Sequence, residues 1–241
     1  MTLQRVLANK AVRGGAAAFV ILWLSIAGWY GYDAVLAHPV RNVVFGGSTA
    51  RLSPAELEAL ARSIQESPER PSPASVREAA RHMHWVRDAF VRRVSVDTIE
   101  IRFEIHEPFA RWNDDALVNR QGEVFAAEFE GPLPRFRGTD PMAPRMAHEY
   151  PLLAAAIEPL GSAIAELRLT PRGAWQATLE SGLVLELGRS DMEARIARLV
   201  SAWPELAARG VTPSHADLRY ANGFALRRPD PLPKEAAMRK K

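Results

Sequence analysis

The residues able to do chemistry are few, and their spacing argues against most of it. His82-Met83-His84 brings two imidazoles close together in the chain. On a helix, positions i and i+2 face apart, and no carboxylate stands at ligand spacing, so the pair reads as surface rather than as a metal site. Glu104, His106 and Glu107 would form an acid/base cluster if they faced a common cleft. Glu104 and His106 do share a face of an extended strand, but a wet strand face gives the same pattern, and that bland reading is preferred. Asp114-Asp115 are adjacent, so on an extended chain their carboxylates point opposite ways; a turn that caps backbone amides is the expected setting. No GxSxG, SxxK, HExxH or glycine-rich phosphate loop is present. The residues call for no metal, no cofactor and no small-molecule substrate, and give no positive reason for an enzyme.

The element that must position everything else is the apolar run at 14–37, GGAAAFVILWLSIAGWYGYDAVLA. Gly14 to Tyr32 is uncharged and about the 20 residues that a bilayer core requires. Trp29, Tyr30 and Tyr32 cluster at its far end, where amphipathic rings suit the headgroup boundary. Arg5, Lys10 and Arg13 precede it, with no acid before Asp33. The positive flank predicts a cytoplasmic tail (1–13), a transmembrane helix (14–36) and an exported body. A cleavable signal peptide, cut after Ala37, is the rival; the run exceeds the usual hydrophobic stretch of about 7–15 residues, which favours an anchor.

The remainder has the make-up of a globular protein. Of the 241 residues 47% are hydrophobic and 24% charged, so a sizeable core is possible. There is no cysteine, hence no disulfide frame and no thiolate chemistry. The net charge of +3 comes from cations scattered among nearly as many acids, with a dense basic cluster only at Arg239-Lys240-Lys241. That pattern, and an exported compartment, weigh against nucleic acid and fit a solvated surface that can face anionic lipid or cell-wall polymer.

Periodicity predicts an α+β body. Val40–Phe45 reads as a strand closed by Gly46-Gly47. Ser53-Pro54-Ala55-Glu56 is a capping box opening a helix with Leu57, Leu60, Ala61 and Ile64 on one face. A proline-containing loop at 67–73 leads to a second helix with Val76, Ala79, Ala80 and Met83 inward. Over 89–107 a hairpin is expected, with Ile99, Ile101, Phe103 and Ile105 on one face and Glu100, Arg102, Glu104 and His106 on the other. Strands at 116–118 and 124–126 flank a turn at Asn119–Gly122. Residues 131–144 read as a loop around a short edge segment, and 145–160 as a helix. A meander follows at 164–169, 175–179 and 184–187. Ser190-Asp191-Met192-Glu193 is a second capping box, before a helix carrying Ile196, Leu199, Val200 and Trp203 that ends or kinks at Pro204. Closing strands at 217–220 and 224–226 meet at Asn222-Gly223, a two-residue hairpin signal. The tail at 229–241 is expected to be disordered.

With chemistry set aside, interaction surface remains. A strand near the chain end often lies at a sheet edge and can accept a partner strand. Tyr220 and Phe224 are either aromatic anchors there or core residues; the residues alone leave the two readings level.

Several ordered motifs carry a family resemblance. They are His84-Trp85-Val86-Arg87-Asp88, Glu107-Pro108-Phe109-Ala110-Arg111-Trp112-Asn113, the turn Asn119–Gly122, Trp175-Gln176-Ala177-Thr178-Leu179, Leu187-Gly188-Arg189 and Asp217-Leu218-Arg219-Tyr220. The chain resembles the FtsQ/DivIB family of bacterial cell-division proteins over nearly its whole length. The resemblance implies a POTRA-like β-α-α-β-β domain at 38–107 and a strand-dominated β domain with two flanking helices at 108–228. It implies a non-catalytic, single-pass scaffold of the divisome, in the inner membrane with its body in the periplasm, that helps control septal peptidoglycan synthesis. The partners it implies are FtsB and FtsL, an FtsB segment adding to the closing strands. By position Tyr220 is a contact aromatic, Asn222, Gly223, Phe224, Ala225 and Leu226 lie along the receiving edge, and Arg172 pairs with an acid of the partner. Better-known members carry a tryptophan shortly after this strand; here Arg228 stands instead, offering a charge or cation–π contact. A POTRA-type export or assembly chaperone is the alternative, although no run of alternating barrel strands follows.

Overall fold

The computed structural model describes residues 23–27, 40–67 and 71–228. Residues 23–27 are helical with Trp23, Leu24 and Ile26 exposed. Among the described residues no helix is long and apolar enough to cross a membrane. The expected cytoplasmic tail, the rest of the 14–36 span, the cleavage point at Ala37 and the tail at 229–241 lie outside the described residues.

The chain divides into two compact units between Ile105 and His106. The first runs β1 (Asn42–Gly47), α1 (Pro54–Gln65), α2 (Pro73–Arg81), β2 (Val86–Arg93) and β3 (Thr98–Ile105). Its three-stranded sheet has the order β1-β3-β2, β1 parallel to β3 and β2 antiparallel. The strand expected to stop before Gly46-Gly47 runs through both glycines, because they pair with Arg102 and Phe103 of β3. The Ser53 box forms: its hydroxyl accepts from the Glu56 amide at 3.2 Å, and Glu56 accepts from the Ser53 amide at 2.8 Å. Leu60 and Ile64 of α1, Val76 and Ala80 of α2, and Ile99, Ile101 and Phe103 of β3 fill one core. Ala79 is exposed; Met83 lies beyond the helix end but still packs half-buried against this core.

The second unit is dominated by one nine-stranded sheet, ordered β12-β11-β10-β9-β8-β7-β4-β5-β6. In chain order these are β4 (Pro108–Trp112), β5 (Ala116–Asn119), β6 (Val124–Phe125), β7 (Arg135–Arg137), β8 (Ile164–Leu169), β9 (Trp175–Leu179), β10 (Val184–Gly188), β11 (His215–Asp217) and β12 (Ala225–Arg227). Helices α3 (Ala143–Ile157) and α4 (Met192–Ala208) cover one face. Met146, Leu153, Ile157, Ile196 and Leu199 meet Leu167, Trp175, Ala177, Leu185 and Leu187 in a single core. Glu166, Arg168, Gln176, Glu186 and Asp217 alternate with those strand residues on the opposite face.

Several expectations are corrected or narrowed here, each for a local reason. The segment at 135–137 is no edge: β7 sits in mid-sheet, parallel to β4 on one side and to β8 on the other, with Phe136 fully buried. The second capping box does not form. Asp191 adopts a left-handed φ of 57° without a side-chain cap, and the Ser190 hydroxyl donates to its carboxylate at 3.0 Å. Of the two readings at Pro204, an end or a kink, the end is excluded: α4 continues to Ala208 with Trp203 and Leu206 packed on the core. Asp114-Asp115 occupy the expected turn, but Asp114 engages Arg137 at 3.0 Å rather than capping amides.

Candidate functional site

The residues singled out for acid/base chemistry are not brought together. Glu104 projects from β3 and pairs with Arg87 at 2.6 Å. His106 falls in the other unit, past the end of β3, and is buried rather than wet. It stacks on Phe125 at 4.2 Å between centroids, and its Nδ1 lies 3.1 Å from the Asn119 amide. His82 and His84 are both exposed. Among the described residues no three His, Cys, Asp or Glu side chains come together to hold a metal ion.

What stands out is the β11–β12 end of the large sheet. β11 runs parallel to β10, and the Leu218 amide extends that ladder to the Glu186 carbonyl at 2.9 Å. The chain then leaves the sheet. Arg219 folds back on Asp217, its Nε and Nη2 donating to the carboxylate at 2.8 and 2.7 Å and its amide donating at 3.0 Å. These bonds hold the Asp217 carboxyl below the ordinary carboxylate range. From α4, Arg198 donates to the Ala221 carbonyl at 2.6 Å and to the Tyr220 carbonyl at 3.2 Å. The expected strand at 217–220 and the two-residue turn at Asn222-Gly223 are therefore replaced. The ladder pairs His215 with Arg227 and Asp217 with Ala225, leaving a loop at 218–224 between them.

That loop presents Tyr220, 57% exposed, with Asn222 also exposed and Gly223 half-buried. Phe224 and Leu226 pack half-buried against the core. Ala225, Arg227 and Arg228 are exposed. β12 ends the strand order, so among the described residues no strand pairs with its outer side. Arg172 is exposed in the turn between β8 and β9. That turn lies at the same end of the sheet as the 218–224 loop, since β9 is antiparallel to β10 and β10 parallel to β11. Two strands, β10 and β11, separate β9 from β12.

Arg198 was not foreseen. Its partner Arg195, three positions earlier on the same face, donates to the Leu187 carbonyl at 3.1 Å. Two arginines at that spacing beside the apolar stripe were the available signal, but nothing in the sequence names the carbonyls they hold.

Residues 110–219 match the family model described as cell division protein FtsQ/DivIB, C-terminal. A cell division protein FtsQ of Nitrosospira multiformis is 41% identical over 155 residues, covering 62% of this chain and 66% of the relative. One from Allochromatium vinosum is 33% identical over 214 residues, covering 86% of each chain. The chain belongs to the FtsQ/DivIB family. A further relative, the cell division protein FtsQ of Neisseria gonorrhoeae, is 32% identical and spans 82% of this chain and 83% of its own. The family match takes in Trp112, the α3–α4 layer and Asp217-Arg219, and stops just before Tyr220.

The Glu107–Asn113 motif that carried the resemblance is architectural. Arg111 donates to the Phe129 carbonyl at 2.6 Å, Trp112 Nε1 to Asp140 at 2.8 Å, and Asn113 exchanges hydrogen bonds with Gly138 at 3.2 Å. These ties hold the long connection through β7 against β4, which explains why that connection carries a central strand.

Proposed function

We propose that the chain is a non-catalytic, single-pass scaffold of the division machinery that takes up a strand of an FtsB-like partner along β12, with FtsL in the same complex. The observation that supports this most directly is the open outer side of β12 beside an exposed Tyr220 in a chain of this family. Strand addition uses backbone groups for affinity and alternate side chains for choice of partner. β12 is only three residues long, so the backbone bonds it offers are few, each worth about 0.5–1.5 kcal/mol. Tyr220 and the exposed Arg227-Arg228 pair supply further contact, Arg228 in the role a tryptophan plays in other members. Arg172 and Asn222 lie at the same end of the sheet as contributors to the rim. The apolar run at 14–36 anchors the body to the inner membrane on its periplasmic side. A partner in the same bilayer is then met at high effective concentration, so a modest intrinsic affinity suffices. The β-α-α-β-β unit is read as a POTRA-like module.

The test is co-purification with FtsB from membranes. Tyr220→Ala weakens capture, and Ala225→Pro, which removes the amide that faces Asp217 of β11 and so unseats the receiving strand, abolishes it while circular dichroism shows an otherwise intact fold. Full capture by a folded Ala225→Pro protein would rule out strand addition at β12.

A further inference from the structure

The three-stranded sheet of the first unit has one end fixed next to the chain that enters it. The Arg41 and Asn42 amides donate to the Asp97 carbonyl at 2.9 and 3.1 Å, and Val40 is 3% exposed. The start of β1 is thus tied to the turn joining β2 to β3. That turn is closed on itself, the Val94 amide donating to the Thr98 carbonyl at 3.0 Å. It nevertheless turns two aliphatic side chains outward, Val94 at 56% and Val96 at 41% exposure.

The charges around them are unevenly engaged. Asp97 accepts from the Ser95 hydroxyl at 2.7 Å and the Thr98 hydroxyl at 3.0 Å. Arg92 pairs with Glu100, and Arg93 donates to the Val96 carbonyl at 2.8 Å, which folds its guanidinium over the turn. Arg41 is exposed at the entry point. An aliphatic pair beside three arginines, Arg41, Arg92 and Arg93, which outnumber the two neighbouring carboxylates, Asp97 and Glu100, fits an anionic lipid surface. The uncharged part of the apolar run ends at Tyr32, so residues 33–39 separate it from Val40. Eight steps of extended chain reach roughly 28 Å at most, so the tied end of the sheet stays within that distance of the bilayer.

We infer that the β2–β3 turn is a second membrane contact, Val94 and Val96 entering the headgroup–acyl boundary of an anionic bilayer while Arg41, Arg92 and Arg93 meet lipid phosphates. The inference rests on the membrane anchor proposed above. A single helical tether leaves the body free to swivel; a second contact at the tied end of the sheet restricts its orientation.

The chain has no cysteine, so single replacements give unique labelling sites. Full-length Ser25→Cys, Ser48→Cys, Val94→Cys and Val96→Cys proteins are labelled with an environment-sensitive fluorophore. They are then reconstituted into phosphatidylethanolamine/phosphatidylglycerol vesicles with brominated acyl chains. Ser48 follows Gly47, at the opposite end of β1 from the turn. The expected result is loss of fluorescence at 25, 94 and 96 but not at 48, with the loss at 94 and 96 alone shrinking in zwitterionic phosphatidylcholine. Labels at 94 and 96 as bright as at 48, with 25 quenched, overturn the inference and leave the anchor standing. A bright label at 25 overturns both. Shielding of 94 and 96 from aqueous iodide without quenching by lipid assigns the turn to a protein contact and also overturns it.

Discussion

Single side chains decide where the closing strands lie. Arg198 holds the two carbonyls that a continuing β11 would have offered to the ladder, and Arg219 caps the strand by folding onto Asp217. Arg198→Ala leaves both carbonyls to water and removes two charge-assisted bonds, a loss of about 1–3 kcal/mol. Denaturant unfolding should show that loss, with faster amide exchange confined to 218–224. Unchanged exchange there would mean the loop is ordered by something else. The Arg77–Asp88 pair of the first unit makes a separate, pH-dependent prediction. Arg77 Nε donates to Asp88 at 2.7 Å, a second guanidinium nitrogen meets its other oxygen, and these bonds lower the Asp88 pKa to about 2. A carboxyl lowered on folding stabilises fully above its unfolded value, about 3.9, and that contribution fades as pH falls toward 2. In Arg77→Ala the Asp88 carboxyl should titrate near the ordinary value in a carboxyl-carbon NMR titration. The variant's deficit against the parent should vanish once both are protonated.

Among the elements, those set by local periodicity were legible and those set by distant partners were not. The alternation of β3 is visible in Ile99, Ile101 and Phe103 because both β1 and β2 pair with it and its inner face meets two helices. The same alternation misassigned His106, since nothing in the period marks the strand's end at Ile105 and the hand-over to another core. In the sequence β7 reads as an edge, because three residues behind two prolines carry no period. Its central place comes from the hydrogen bonds of Arg111, Trp112 and Asn113, whose partners lie far along the chain. At the candidate site the residues alone leave Tyr220 and Phe224 level between surface and core; Tyr220 is exposed and Phe224 packs half-buried, and the Asn222-Gly223 turn gives way to Arg198 and Arg219. The Asn119–Gly122 turn, legible from its residue types, can be tested directly. Gly122 has φ +81°, and a Cβ placed there would lie 2.1 Å from the Pro144 Cα, whereas Gly182, at φ +86°, has open space. Gly122→Ala should cost about 2–4 kcal/mol, strain and overlap together, and Gly182→Ala only the strain of about 1–2 kcal/mol. Equal losses in thermal melts would show that the backbone at Pro144 yields freely.

For the molecule as a whole, the division into two units has a functional consequence. The core around Trp112, Phe136 and Trp175, with Phe109 packed against it, draws on residues of this unit alone, and every proposed contact residue, Arg172 and Tyr220 to Arg228, belongs to the same unit. A body of this size is well above the roughly 40 residues below which a domain usually needs added staples. Residues 106–228 expressed alone should therefore unfold in one cooperative transition and keep the β12 edge. Under the proposed function, what they lose is confinement beside a partner in the same bilayer. Tethering two partners to one bilayer converts their meeting into a local event, and such linkage can strengthen binding by about 10²–10⁴ without any new contact. The isolated unit should accordingly bind a soluble FtsB segment that far more weakly than the full chain captures FtsB in vesicles, with Tyr220→Ala lowering both by the same factor. Equal affinities in solution and in the bilayer would show that the anchor contributes nothing to recruitment. A Tyr220→Ala effect in only one setting would mean that the two measurements report different surfaces.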